Sequence, residues 1–153
     1  MLLLRLSIRF KEKEKPPASR FALQESSHYT NESMFNDIVL EHFRNPHNAG
    51  ELPDATATVD VSNPVCGDVL RLSVRVEEGR IVAARFKTQG CVASIASSSI
   101  LTDLLTGASL AAATEITPQQ ISAALGGLPP ATFHAAQLCA DALAALRRNL
   151  SPK

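Results

Sequence analysis

Two alternating runs, set back to back, constrain this chain more than any other feature. Leu70, Leu72, Val74 and Val76 alternate with Arg71, Ser73, Arg75 and Glu77. After Glu78-Gly79 the pattern resumes with Val82, Ala84, Phe86 and Thr88. A period of two puts one set of side chains on each face of a strand. Two such runs joined by a Glu-Gly turn predict a β-hairpin with one wet face. A third strand is supplied by ATVDVS, residues 57–62. The dry face of so small a sheet must be covered by helices.

Those helices are legible on either side. MFNDIVLEHFRNPHNAG reads as an amphipathic helix with Ile38, Val39, His42 and Phe43 on roughly one face, ended by Asn45-Pro46. A loop with Gly50 and Pro53 follows. Beyond Gly90 the period changes, and Ile95, Leu101, Leu104 and Leu105 fall at helical spacing before a stop at Gly107. Thr117-Pro118 reads as an N-cap and first helical position, opening a short helix that ends at Gly126-Gly127. The alanine-rich ATFHAAQLCADALAALRRNL, residues 131–150, forms the last helix, with Arg147 and Arg148 near its negative end. The predicted fold is α+β: a small three-stranded antiparallel β-sheet with helices packed on one face.

Composition narrows the function. The chain of 153 residues has a formal charge of zero, which provides no basic face for nucleic acid. No apolar run approaches the roughly 20 residues that span a bilayer, so neither a nucleic-acid nor a membrane partner is expected. Residues 1–33 differ from the rest and read as a disordered N-terminal extension, with the domain occupying 34–153. They lack the apolar length of a secretory signal, and Glu12, Glu14, Glu25 and Glu32 speak against a transit peptide. Three cysteines, an odd count, argue against a disulfide framework and point to a reducing, cytoplasmic setting.

The cysteines carry the chemistry. In NPVCGDVLRL, Cys66 and Asp68 stand two apart around Gly67, so in an extended backbone thiolate and carboxylate face the same way. Cys91 follows Gly90 where strand gives way to helix, and a helix start favours the thiolate that metals and electrophiles need. A hairpin returns the chain, so Cys66, Asp68 and Cys91 converge at one end of the sheet. Each taken alone has a blander reading as a small residue filling a corner. His134 and Cys139 lie on the last helix and by themselves read as surface or core. His28, His42 and His47 have no partner pattern and receive no role. The serines of ASSS, residues 96–99, have no accompanying histidine or acid and read as a close-packing helix face.

HFRNPHNAG, NPVCGDVLRLSVRV, ARFKTQGCVASIASSS and LPPATFHAAQLCADAL, in this order, resemble the NifU/IscU-type iron–sulfur cluster assembly scaffolds across nearly all of the domain. The resemblance implies a site holding Zn2+ or a transient [2Fe–2S] cluster. Cys66, Asp68, Cys91 and His134 fall on the family's ligand positions. It further implies a cysteine desulfurase as sulfur source and apo iron–sulfur proteins as recipients.

Two departures stand out. The family's third cysteine follows its histidine, yet here that position is Ala135, and Cys139 comes one helical turn later, about 6 Å along the axis. Cys139 is either a displaced third thiolate or a core residue. Chaperone-dependent members continue the L-P-P motif with valine and lysine. Here Ala131-Thr132 follow Leu128-Pro129-Pro130, so a heat-shock-type chaperone is not an expected partner.

The expected function is therefore a scaffold that assembles a cluster and passes it on, without enzymatic turnover. The alternatives are a zinc-dependent sulfur-transfer partner of a desulfurase, with Cys91 as sulfur acceptor, or a degenerate zinc-binding homologue. Sulfur-transfer members carry a longer insert than the 44-residue interval from Cys91 to Ala135, which favours the scaffold.

Overall fold

A computed structural model describes residues 34–151, so the expected N-terminal extension lies outside the described residues. Helix α1 spans Asp37–Arg44, and strands β1 (Ala57–Ser62), β2 (Val69–Glu77) and β3 (Arg80–Gln89) follow. Among the described residues four α-helices follow: α2 (Val92–Leu105), α3 (Leu110–Ala113), α4 (Pro118–Ala124) and α5 (His134–Leu150). The strands form one antiparallel sheet in the order β1-β2-β3. No helix among the described residues is long and apolar enough to cross a membrane.

The hairpin pairs as the alternation requires over most of its length. Leu72 lies opposite Val59 on one side and Phe86 on the other, all three buried. Asp60 and Arg71 are cross-strand partners on the wet face, joined by two hydrogen bonds of 2.8 and 3.1 Å. The register slips between Arg75 and Val76. That irregularity breaks the expected pattern on the return strand: Ile81 is fully buried, whereas Val82 is 38% exposed. The bulge shifts the inward position by one only between itself and the turn, while Ala84 and Phe86 stay buried as the alternation requires.

Helix α5 covers β1 and β2 while α2 lies against β3. Leu101 and Leu105 of α2 and Leu138, Leu143 and Leu146 of α5 share one buried cluster with Leu70, Leu72, Val74 and Phe86. A second, smaller cluster joins Phe35, Val39 and Leu40 to Ala93 and Ala96 of α2, Leu125 and Ala135. Its small alanines let α1 and α2 approach closely. Ile38, expected on the inner face, is instead 46% exposed, and Leu40 takes the inward place.

The caps are local and chemical. The Asn36 side chain accepts from the N–H groups of Ile38 and Val39, and its amide donates to Leu125 O, so α1 is tied to the end of α4. Thr117 caps α4 with Pro118 in its first turn, as the sequence predicts, and Gln120 completes a reciprocal capping box. The last helix starts three residues later than its alanine content suggests. A 3-10 turn at Pro130–Thr132 precedes it, and His134 becomes its first residue.

Candidate metal centre

The end of the sheet opposite the Glu78-Gly79 turn gathers the chemistry. Val69 pairs with Gln89, so the residues just outside that pair, Asp68 and Gly90, face each other across the hairpin. Cys66 reaches this corner by a turn rather than by the extended backbone expected from the sequence. The Asn63 side chain accepts from Val65 N, Gly67 N donates to Asn63 O, and Asn63 N donates to Asp68 O. Gly67 takes a φ of +80° within that loop, a conformation glycine adopts without steric cost. The loop folds the two side chains together even though the strand has not yet begun.

Asp68 is the hub. It is 6% exposed, and its Oδ2 accepts a hydrogen bond from the Ser94 hydroxyl. The Cys91 thiol lies 3.8 Å from the same oxygen and 3.5 Å from Ser94 Oγ. His134 Nε2 approaches Oδ2 from the start of α5, again at 3.8 Å. Cys66, Asp68 and His134 each bring one donor atom within 4.8 Å of the others. Ligands of one tetrahedral ion with bonds of about 2.0–2.3 Å stand roughly 3.3–3.8 Å apart, so this spacing fits a shared ion with little movement. Cys66 and Cys91 are exposed, giving an ion or a donor protein access to both thiols.

The structure thus brings Cys66, Asp68 and His134 together, sets Cys91 beside them against Asp68, and leaves Cys139 out. Cys139 is fully buried in the larger apolar cluster. Burial pushes its thiol up to about 12, and a hydrogen bond with Ser98 offsets this only in part. A neutral, enclosed thiol is a poor metal ligand, and of the two settings open to it in the sequence Cys139 occupies the core. Ala135 is also fully buried. Accordingly, a thiol reagent should add to two cysteines of the folded chain, Cys66 and Cys91, and to a third only in denaturant. Intact mass measurement counts the adducts, and rapid native modification of Cys139 would contradict the placement.

Two members of the corner carry no independent signal in the sequence. Ser94 holds the carboxylate. Gly90 makes room for it: a Cβ there would sit 2.7 Å from Asp68 Cγ. Ser98 and Ser99 are buried with similar duties elsewhere, Ser98 facing Thr88 at 2.8 Å and Ser99 facing His42 Nδ1 at 2.7 Å. The serine run packs closely, as expected, and also carries polar clients.

Fold and corner define a class: a small α+β domain whose open sheet end gathers a thiol, a carboxylate and an imidazole, with a second thiol set against the carboxylate. Residues 34–149 match the model of the NifU-like N terminal domain, and the chain belongs to that family. It is 43% identical over 110 residues to "Iron-sulfur cluster assembly scaffold protein IscU 1" of Archaeoglobus fulgidus, covering 72% of each chain. It is 42% identical over 124 residues to "Iron-sulfur cluster assembly scaffold protein IscU" of Azotobacter vinelandii, covering 78% of this chain and 95% of that one. The solved N-terminal part of a nitrogen-fixing NifU-like protein from Brucella abortus aligns with a TM-score of 0.51 at 21% identity, covering 75% of this chain and 81% of that one. At that identity the likeness speaks for the fold alone.

Proposed function

We infer that this chain is an iron–sulfur cluster assembly scaffold, a protein that holds iron and a [2Fe–2S] cluster as transient cargo and gives them up to acceptor proteins. The observation that carries the reading is the position of Asp68, a carboxylate set between the two exposed thiols and His134. Similarity to relatives that bear the scaffold name supports it. The work is binding and release, with no turnover of the chain's own.

The donor set suits that task. Thiolates hold iron–sulfur clusters well. A hard carboxylate in place of one soft thiolate mismatches the unit and weakens its hold. Ser94 draws further on the same carboxylate oxygen, since its hydroxyl donates to Oδ2. Cys66, Cys91 and His134 are the retaining ligands in this reading, and Asp68 is the release element. With Zn2+ in place of the cluster, the same four groups supply a closed tetrahedral set. The sulfur source is a cysteine desulfurase and the recipients are apo iron–sulfur proteins. Exposed free thiols at Cys66 and Cys91 support a reducing, cytoplasmic setting.

Anaerobic reconstitution with ferrous iron, a cysteine desulfurase, cysteine and excess dithiothreitol, the thiol that reduces the delivered persulfide sulfur to sulfide, tests the reading. The expected product has the visible absorption of a [2Fe–2S] cluster, which is lost to an added apo acceptor. Failure to form any visible-absorbing species under these conditions overturns the scaffold reading. The Asp68→Ala variant should keep its cluster several-fold longer than the parent chain. A cluster that decays at the parental rate would remove Asp68 from its role as the release element.

A further inference from the structure

A second group of donors lies at the other end of α2. His42 comes from α1, His47 from the loop behind it and Asp103 from α2, and one donor atom of each lies within 4.8 Å of the others. We propose that His42, His47 and Asp103 form a second site, one that binds a divalent transition-metal ion through two imidazoles and one carboxylate. Twelve residues of helix separate Asp103 from Cys91, about 18 Å, so this site is independent of the cysteine corner.

The surroundings hold each donor in place. The two imidazole centroids are 4.5 Å apart. Ser99 Oγ lies 2.7 Å from His42 Nδ1 and accepts from the His47 backbone N–H, also at 2.7 Å. A hydroxyl oxygen has two lone pairs, so it accepts from both N–H groups when His42 carries its proton on Nδ1. That tautomer leaves Nε2 bare for a metal, with a hydrogen bond on the opposite nitrogen fixing the ring. Asp103 Oδ2 faces His47 Nδ1 at 2.6 Å, while Oδ1 accepts from Asn48 Nδ2 at 3.3 Å. The Asn48 amide in turn donates to Thr102 Oγ1 at 3.0 Å.

The competing reading is a half-exposed His47–Asp103 ion pair beside an unrelated buried histidine. Such a pair contributes about 0–1 kcal/mol and gives no reason for a second imidazole to lie tilted against the first, with 49° between the ring planes. Burial of His42, reinforced by neighbouring His47, holds its ring below the ordinary histidine range, with Asp103 and Glu41 opposing. A neutral ring is the form that ligates. Two donors of one ion stand about 3.3 Å apart, so the His47–Asp103 bond opens by several tenths of an ångström as the ion enters. Both side chains are partly exposed, at 44% and 36%, and free to do so. Imidazole with carboxylate suits borderline ions such as Fe2+, Co2+ and Zn2+, rather than oxygen-seeking Mg2+ or thiol-seeking Cu+.

Cobalt(II) distinguishes the two sites, because only thiolate ligation gives sulfur-to-cobalt charge-transfer absorption. Anaerobic titration of the full chain should show two types of bound ion, one with that absorption and one with d–d bands alone. His47→Ala and Asp103→Asn should each weaken the second at least tenfold while leaving the charge-transfer band intact, with circular dichroism unchanged. Binding of the charge-transfer ion alone overturns the proposal, as does a second ion bound with parental affinity by His47→Ala. A d–d ion lost from His47→Ala, without any charge-transfer ion in the parent chain, supports this site and counts against the cysteine corner instead.

Discussion

Gly90→Ala is expected to weaken metal binding at the proposed Cys66–Asp68–Cys91–His134 centre at least tenfold while leaving the chain folded. A Cβ at this position would stand 2.7 Å from Asp68 Cγ, 2.8 Å from Oδ1 and 3.1 Å from Cβ. Contacts under 3.0 Å force something to move, and the neighbour is a short side chain with little freedom. Asp68 is buried, accepts from Ser94, and sits one residue outside the Val69–Gln89 pair that fixes the two strands. The carboxylate must swing away or the hairpin end must part, and either separates the donors. Glycine is needed here for space. At Gly67 the demand is conformational: φ is +80° and a Cβ would meet nothing within 4 Å, so alanine there strains the backbone without a clash. Competition with a zinc chelator measures the effect, and parental affinity in Gly90→Ala would refute it.

The second large effect is on stability. Leu101→Ala should cost about 2–5 kcal/mol, read as a lower denaturation midpoint at unchanged slope. Leu101 is fully buried on α2 within the cluster that joins that helix to the sheet and to α5. Removing its branched end leaves a cavity where those three elements pack together. A domain of this size has about 5–15 kcal/mol in total, so the loss is a large fraction. By contrast, Val82→Ala removes a side chain that is 38% exposed on the sheet and should cost well under 1 kcal/mol. Equal losses at the two positions would show that α2 does not anchor the core as its burial implies.

What the sequence conveyed depended on whether the signal was local. Alternation gave the hairpin, and the hairpin alone put Asp68 opposite the start of α2, because antiparallel pairing leaves no other place for it. Thr117 and Pro118 announce a helix start that the structure reproduces, and the structure adds the reciprocal bond from Gln120. The bulge between Arg75 and Val76 stayed hidden, since one extra residue alters the register without changing composition. Cys66 meets Asp68 through the turn at Asn63–Gly67, and not through the extended backbone that the spacing predicts. Ser94 and Gly90 act through a carboxylate from another element, and no spacing rule reveals such a meeting. The same holds for His42, His47 and Asp103, which are drawn from a helix, a loop and a second helix. Their proximity follows from how α1 packs on the alanines of α2, a tertiary fact.

The serine-lined interior of α2 also bears on temperature. Ser94, Ser97, Ser98 and Ser99 are all fully buried, occupying places that leucine or valine would take in an ordinary core helix. Exposing apolar surface raises the heat capacity on unfolding, whereas exposing polar surface lowers it. A helix buried through hydroxyls therefore contributes less heat-capacity change per residue than one buried through methyls. The curve of stability against temperature flattens in proportion, and the domain keeps its margin over a wider span of cold and heat than its size alone would give.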